Sequence, residues 1–351
     1  MKYFTQENHL KFFKDPISFD KHTSREVLQY AVGANLYIPA NKDNIFQRFF
    51  QNGAFDCGAI TLCMEDSISL KELSEAENAV IELLSQVAAL TSKDHMVSIP
   101  LIFIRVRSVE QFARFATRLS ADQLRNVCGF TFPKFNSENG TDYFNILQSV
   151  EKQKGDKLYS MPIIEDKLVM YRESRVKELT KIQDVLLRNK SQVLNVRVGG
   201  TDFSSLYGLR RNITTSIYDI RVVADCLTDI INTLGRADDG FIVSGPVWEF
   251  YSWHKNSPEM KGLLRETMLD IQNGFFGKTV IHPSQVGPVN KSYVVMYDEY
   301  IDAINLLNSD GGVFAGTNGN RMNETNPHRN WAKKIIARSA IYGVLEKDAS
   351  L

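Results

Sequence analysis

Two kinds of apolar pattern alternate along the chain. One is a set of eight short runs rich in β-branched and aromatic residues: ANLYIP (34–39), GAITLCM (58–64), PLIFIRV (100–106), VCGFTF (127–132), LYSMPII (158–164), VLNVRV (193–198), GFIVSG (240–245) and GKTVIH (277–282). The other is a set of longer stretches with apolar residues at helical spacing, clearest at 71–90, 109–120, 173–189 and 216–234. Strand followed by helix, repeated, predicts parallel βα units, and eight units close a TIM-type (β/α)8 barrel. An open doubly wound sheet is the alternative. No GxGxxG follows the first run, which weakens the dinucleotide-binding form of that alternative. The expected α/β architecture is a barrel over 1–290, with 1–30 as an N-terminal cap, and a C-terminal helical extension over 291–351. In the extension, 292–307 and 331–345 read as helices, and the Gly- and Asn-rich stretch 309–328 reads as a loop. Loops of this length in compact proteins serve as lids or binding loops.

Composition narrows the partners. The chain has 351 residues, 43% of them hydrophobic, enough for one barrel with extensions. Lys plus Arg balances Asp plus Glu, 41 against 41, so no global basic field favours nucleic acid. No apolar run approaches a membrane span, and the first residues lack the apolar core of a signal peptide. The four cysteines, Cys57, Cys63, Cys128 and Cys226, form no Cys-x-x-Cys pair and are too few for a disulfide scaffold. The expectation is a soluble cytoplasmic protein with neither membrane nor nucleic acid as partner.

The chemistry gathers where the apolar runs end. The second run leads to Glu65 and Asp66, the third to Arg105 and Arg107, and the fourth to Pro133 and Lys134. The fifth ends at Glu165 and Asp166, and the sixth passes Gly199, Gly200 and Thr201 to reach Asp202. The seventh ends at Gly245-Pro246 with Trp248 behind, and the eighth at His282-Pro283. Barrel enzymes carry their reactive groups at these carboxyl ends. Magnesium takes oxygen ligands, typically one or two protein carboxylates with water and substrate completing the shell. Glu165 and Asp202, on adjacent strands, are the candidate pair; each can instead cap a helix or pair with Arg105.

Arg105 can clamp a substrate carboxylate through its planar fork, or bridge the mouth as a salt bridge. Lys134 is a charge anchor or a Schiff-base amine. With them, Gly200 and Thr201 are candidate substrate contacts. Arg107 reads as structural, Arg210 and Arg211 as a solvated pair with an anionic tail as the alternative, and His282 as a packed residue. Trp248, Phe250, Tyr251 and Trp253 read as a core or interface cluster.

Seven blocks in order resemble the citrate lyase beta subunit-like family of aldolases and lyases. LYIPA (36–40) is similar to that family's LFVPG, CMEDSI (63–68) to DLEDSV, IRVRS (104–108) to VRVN, and FPK (132–134) to LPK. IIED (163–166) resembles IETA, VGGTDF (198–203) FGxxDL, and GKTVIHPSQV (277–286) GKxxIHPxQI. GANLYIPA (33–40), NVRVGGTDFSSLYGLRR (195–211) and VSGPVWEF (243–250) bring the chain nearer a carbon–carbon bond lyase subgroup of tellurium-resistance and stress gene clusters. The resemblance implies magnesium on Glu165 and Asp202, a carboxylate-binding Arg105, and Glu65 and Asp66 lining the site. It implies an aldol or Claisen-type lyase acting on a small 2-keto or hydroxy acid or its acyl thioester, an acyl-CoA among the candidates. It also implies a homo-oligomer, expected as a trimer.

The chain departs from the family at Cys63 for the first Asp of DLED, at Gly33 near the Arg of RSxLF, at Asp166 for Thr and at Arg107 for Asn. These mouth positions leave the substrate unnamed. The proton carrier is Glu65, Asp66 or an acid of the C-terminal segment. Glu324 is the candidate in that segment, delivered if 309–328 closes over the mouth. Two rivals stand beside this reading: a metal-independent Schiff-base aldolase using Lys134, and a barrel without catalysis that serves as a binding subunit of a stress complex.

Overall fold

The computed structural model describes residues 1–5, 9–51, 57–94, 97–347 and 349. The barrel is present. Strands Ala34–Pro39, Ala59–Cys63, Leu101–Arg105, Val127–Phe132, Tyr159–Ile164 and Arg197–Val198 lie side by side in sequence order, and Lys278–Val280 pairs back onto the first of them. Every pairing in this sheet is parallel. The seventh place is filled by residues 243–245 through two isolated parallel bridges, Val196 to Val243 and Gly245 to Lys278. Ser244 N donates to Val196 O at 2.8 Å and Phe276 N to Val243 O at 2.8 Å, which closes the ring. This run makes bridges rather than a ladder because Pro246, which has no N–H, ends it at once.

The strands are buried on both faces, which is why they read as continuous apolar runs and not as alternation. Helices Leu73–Lys93, Val109–Arg118, Gly140–Lys154, Arg172–Arg188, Arg221–Leu234, Pro258–Gln272 and Pro283–Lys291 follow them around the outside. Local signals set their starts. Ser108 accepts from Gln111 N, and Ser257 caps a helix with Pro258 at its first position. The stretch expected as one helix over 216–234 is divided. A Ser216–Asp219 capping box closes the short 3-10 turn Ile217–Asp219 before the helix begins at Arg221.

The extension also differs from its expected form. The stretch 309–328 is not an irregular loop: Val313–Ala315 and Met322–Glu324 form an antiparallel hairpin, and the last helix begins at Thr325 and runs to Tyr342. Its anchor is Asp302, 1% exposed, which accepts from Thr317 N at 2.7 Å, Thr317 Oγ1 at 2.6 Å and Arg321 Nε at 2.6 Å. Composition shows the Gly and Asn residues but not the buried carboxylate that orders them.

Val295, Ala303, Leu306, Ala332, Ile335 and Val344 form a small second core between the last two helices. Phe12–Lys14 pairs with Val344–Leu345 in an antiparallel ribbon. Tyr342 donates to Tyr30 O at 2.9 Å and lies over Gly33, where φ is +46° and a Cβ would stand 2.3 Å from the phenol oxygen. Gly33 immediately precedes the first strand, so this assembly sits at the amino ends of the strands. Among the described residues no helix is long and apolar enough to cross a membrane.

Candidate active site at the carboxyl ends of the strands

Glu65, Arg105, Lys134, Glu165 and Asp202 reach the same place from five successive strands. Arg105 is the last residue of its strand, and Glu165 follows Ile164 directly. One guanidinium nitrogen, Nη2, meets Glu65 Oε2 at 2.8 Å, Glu165 Oε1 at 3.1 Å and Asp66 Oδ2 at 3.2 Å. Lys134 Nζ stands among the same acids, 3.0 Å from Glu65 Oε1, 3.3 Å from Asp202 Oδ1 and 4.0 Å from Glu165 Oε1. Lys134 has φ +48°, and its backbone N–H donates to Glu165 Oε1 at 2.9 Å. Gly199 is required beside it, since a Cβ there would lie 2.3 Å from Glu165 Oε2.

These contacts divide the carboxyls. Burial pushes Glu165 up to about 7, although Arg105 and Lys134 pull the other way. Burial likewise raises Glu65 above its ordinary value despite Arg105. Burial alone would raise Asp66 too, but its hydrogen bond with Glu65 and the charges of Arg105 and Lys134 bring it below. Adjacent acids pushed apart in this way are suited to separate acid and base roles. Burial lowers Lys134, yet Glu165, Glu65 and Asp202 outweigh it and hold the ammonium above the usual lysine range. A Schiff-base lysine needs the opposite shift, so these ion pairs favour Lys134 as a charge anchor.

Four carboxyl groups face two cations, so full ionisation of the acids leaves two negative charges for a bound cation to offset. The donor set is oxygen only and suits a hard divalent cation, with the Lys134 ammonium standing as a point charge among the acids. Among the described residues no three acids, histidines or cysteines converge tightly enough to hold an ion by themselves. Two carboxylates suffice for magnesium when water and substrate supply the rest.

A cavity of about 390 Å³ opens beside the cluster, lined by Arg105, Glu165, Gly200, Thr201 and Asp202 together with Tyr37, Arg197 and Thr279. The structure therefore brings together all eight expected site positions, Glu65 and Lys134 through their ion pairs. Asp166 turns away, capping the next helix at Leu168 N and holding Asn136. Arg107 ties down the carbonyls of Met64, Glu65 and Ile68. Arg210 is exposed, but Arg211 is not the solvated residue expected. It is buried over the Trp248 ring and paired with Glu266 at 2.6 Å and Glu249 at 3.2 Å. His282 accepts from Ser284 N as a helix cap, with Tyr251 stacked on its ring at 4.2 Å. Trp248 is buried, whereas Tyr251 and Trp253 are exposed.

Sequence reasoning missed Arg197 and Tyr37. The available signal for Arg197 was a lone charge within the apolar run VLNVRV.

Fold and cluster together define a barrel enzyme with its acids, arginine and lysine at the carboxyl mouth. A family model, the carbon–carbon bond lyases of the TIM-barrel fold, matches residues 26–344, so the chain belongs to that family and is a carbon–carbon lyase. No curated protein matches the chain. Among solved structures it is similar to a citrate lyase from Burkholderia xenovorans, at 14% identity over 88% of this chain and 91% of that one, with a TM-score of 0.64. It is also similar to the CitE protein of Mycobacterium tuberculosis in complex with magnesium, acetoacetate and coenzyme A. That match has 17% identity over 89% of this chain and 99% of that one, with a TM-score of 0.57. The citrate lyase beta subunit of the same organism, complexed with oxaloacetate and magnesium, aligns at 17% identity over 76% of this chain and 99% of that one, with a TM-score of 0.50. At such identities these structures share the fold with the chain.

Proposed function

We propose that the chain is a magnesium-dependent lyase that breaks or forms a carbon–carbon bond next to the carboxylate end of a small 2-keto or hydroxy acid, or of its acyl thioester. The observation that carries this is the meeting of Glu65, Asp66, Glu165 and Asp202 around Arg105 and Lys134 beside the cavity. Glu165 and Asp202 would hold the cation, which when bound supplies positive charge for a substrate carboxylate and its neighbouring oxygen.

The chain's own residues do the rest. Arg105 orients Glu65, Asp66 and Glu165 through Nη2, and among the described residues Nη1 meets the Cys63 sulfur at 4.0 Å and no carboxylate. Cys63 stands where the resembling family has an Asp, so this chain leaves that nitrogen available to donate to a substrate oxygen. In cleavage, the electron pair of the broken bond passes to the fragment whose keto or thioester carbonyl stabilises it as an enolate, while the hydroxyl-bearing carbon of the other fragment becomes a carbonyl. Arg105 donates to the oxygen that gains charge. Glu65, with its raised pKa and its place beside Arg105 and Lys134, takes the proton from the hydroxyl that becomes the new carbonyl and returns it to the enolate carbon. Lys134 balances the acids and is not the nucleophile.

Titration calorimetry with magnesium tests the metal site. Glu165→Ala and Asp202→Ala should each abolish binding with the fold intact by circular dichroism, and binding as tight as the parent's in either variant removes the assignment. Turnover of 2-keto acids, hydroxy acids and acyl thioesters should stop with chelator and return with magnesium. Borohydride trapping of substrate on Lys134 would favour the Schiff-base chemistry instead.

A further inference from the structure

Arg197 lies inside the barrel, 1% exposed, and Asn195 Oδ1 and Ser244 Oγ each stand 3.4 Å from its Nη1. Its Nη2 donates to Thr279 Oγ1 at 2.6 Å, and its guanidinium carbon lies 5.7 Å from the centre of the Tyr37 ring. Nε is buried with no hydrogen-bond partner among the described residues. All of these neighbours are neutral.

The other buried basic residues among those described are differently placed. Arg105 meets Glu65, Asp66 and Glu165; Arg175 meets Asp225 and Asp229; Arg211 meets Glu249 and Glu266; Lys278 meets Glu266 and Asp270. Arg197 alone of this set is buried without a carboxylate. A guanidinium in a low-dielectric interior without an opposing charge is costly, and it is retained where something else supplies that charge.

Arg197, Tyr37 and Thr279 line the same 390 Å³ cavity as Arg105, Glu165 and Asp202. Tyr37 and Thr279 come from the first and eighth strands, whereas the acid cluster follows the second to sixth. The cavity therefore has two polar corners. At the first, the four acids are offset by Arg105, Lys134 and the proposed divalent cation. At the second, a positive charge stands uncompensated. Resting on the proposed reading of the first corner, we propose that Arg197, with Thr279 and Tyr37, binds a second carboxylate at the far end of the substrate. The enzyme then selects dicarboxylic over monocarboxylic acids. Two parallel N–H donors suit a carboxylate, and a site built to pair a buried donor rejects an analogue lacking the partner.

The test is titration calorimetry on the full chain with saturating magnesium. Two pairs of acids, matched in length, differ only in the distal carboxylate: malate with 2-hydroxybutyrate, and 2-oxoglutarate with 2-oxovalerate. The wild type should bind the diacid of at least one pair about tenfold or more tighter. Arg197→Met should lose that preference while keeping its affinity for magnesium and for the monoacid. Equal binding of mono- and diacids by the wild type, or a preference that survives Arg197→Met, overturns this inference and leaves the metal site standing. Failure of all four acids to bind the magnesium-loaded wild type overturns this inference, while the reading of the first corner is judged separately by the magnesium titration and by turnover of acyl thioesters. Arg197→Lys guards against misfolding of the Met variant, because it keeps the charge and loses the fork. It should retain a weakened preference, and an undiminished one counts against the inference.

Discussion

Arg105 holds three carboxylates through one nitrogen, so the site depends on a shape that lysine cannot copy. Arg105→Lys should lower kcat/KM for the acid substrate roughly tenfold, about 1.4 kcal/mol, with magnesium affinity little changed. Steady-state kinetics beside metal titration checks this, and unchanged kinetics would remove Arg105 from the substrate's contacts. Glu165 adds a pH dependence. Its carboxyl is raised from 4.5 to about 7 by burial, so below that value a proton competes with the cation. Magnesium affinity should fall about tenfold per pH unit as pH drops below 7 and level off above it. For the metal-free protein the sign is reversed: a raised acid contributes stability that is complete below pH 4.5 and is lost as pH rises through about 7. Its melting temperature should therefore decline across that window, and magnesium should restore it above pH 7; a flat profile would contradict the burial of Glu165. Glu165, Asp202 and Arg105 were legible in the sequence because the end of an apolar run marks the barrel mouth. Arg197 and Tyr37 were not, because a one-dimensional pattern does not separate the two buried faces of a barrel strand.

The helix Pro258–Gln272 is fastened to the barrel by charge as well as packing. Glu266, fully buried, meets Lys278 Nζ at 3.1 Å and Arg211 Nη1 at 2.6 Å and accepts from Ile217 N at 2.8 Å. It thereby joins the eighth strand to the segment after the sixth, the irregular side of the ring. Glu266→Leu would leave Lys278 paired with Asp270 alone and Arg211 paired with Glu249 alone, and should cost about 3 kcal/mol of stability, read from urea unfolding. A loss under about 1 kcal/mol would mean water reaches this cluster in solution. This element also shows where patterning stops. Strands buried on both faces were readable from apolar runs alone. The seventh was readable as a run, but its reduction to two bridges depends on Pro246. The break before Arg221 depends on a capping box, and the hairpin at 313–324 on Asp302, a partner outside the stretch.

At the scale of the molecule the two ends of the barrel have separate work. The carboxyl ends hold the acids and the cavity, and the segments around Phe12–Lys14 and Tyr342–Leu345 close the amino ends beside Gly33. The trimer expected from the family resemblance is checked by light scattering at micromolar concentration, where a monomeric mass would defeat it. The remaining question is the segment around Glu324, expected to close over a mouth. Beyond hydrogen bonds within itself, it is tied to the neighbouring helix: Asp302 takes Thr317 and Arg321, and Asp298 takes Asn318. To carry Glu324 to its own mouth, the segment would have to leave a buried carboxylate without donors, which is costly. Limited proteolysis should therefore cut 309–328 at the same slow rate with and without magnesium and a bound acid. Asp302→Ala should be cut faster in both states, because it removes the anchor. Glu324→Gln should keep its magnesium affinity and turnover. Protection that appears only with ligand, together with lost turnover in Glu324→Gln, would instead establish a lid. In a trimer, mixing that variant with a second variant disabled at Glu165 would then tell whose mouth it serves. Recovery of activity in the mixed oligomer means delivery from a neighbour, and none means delivery within one chain.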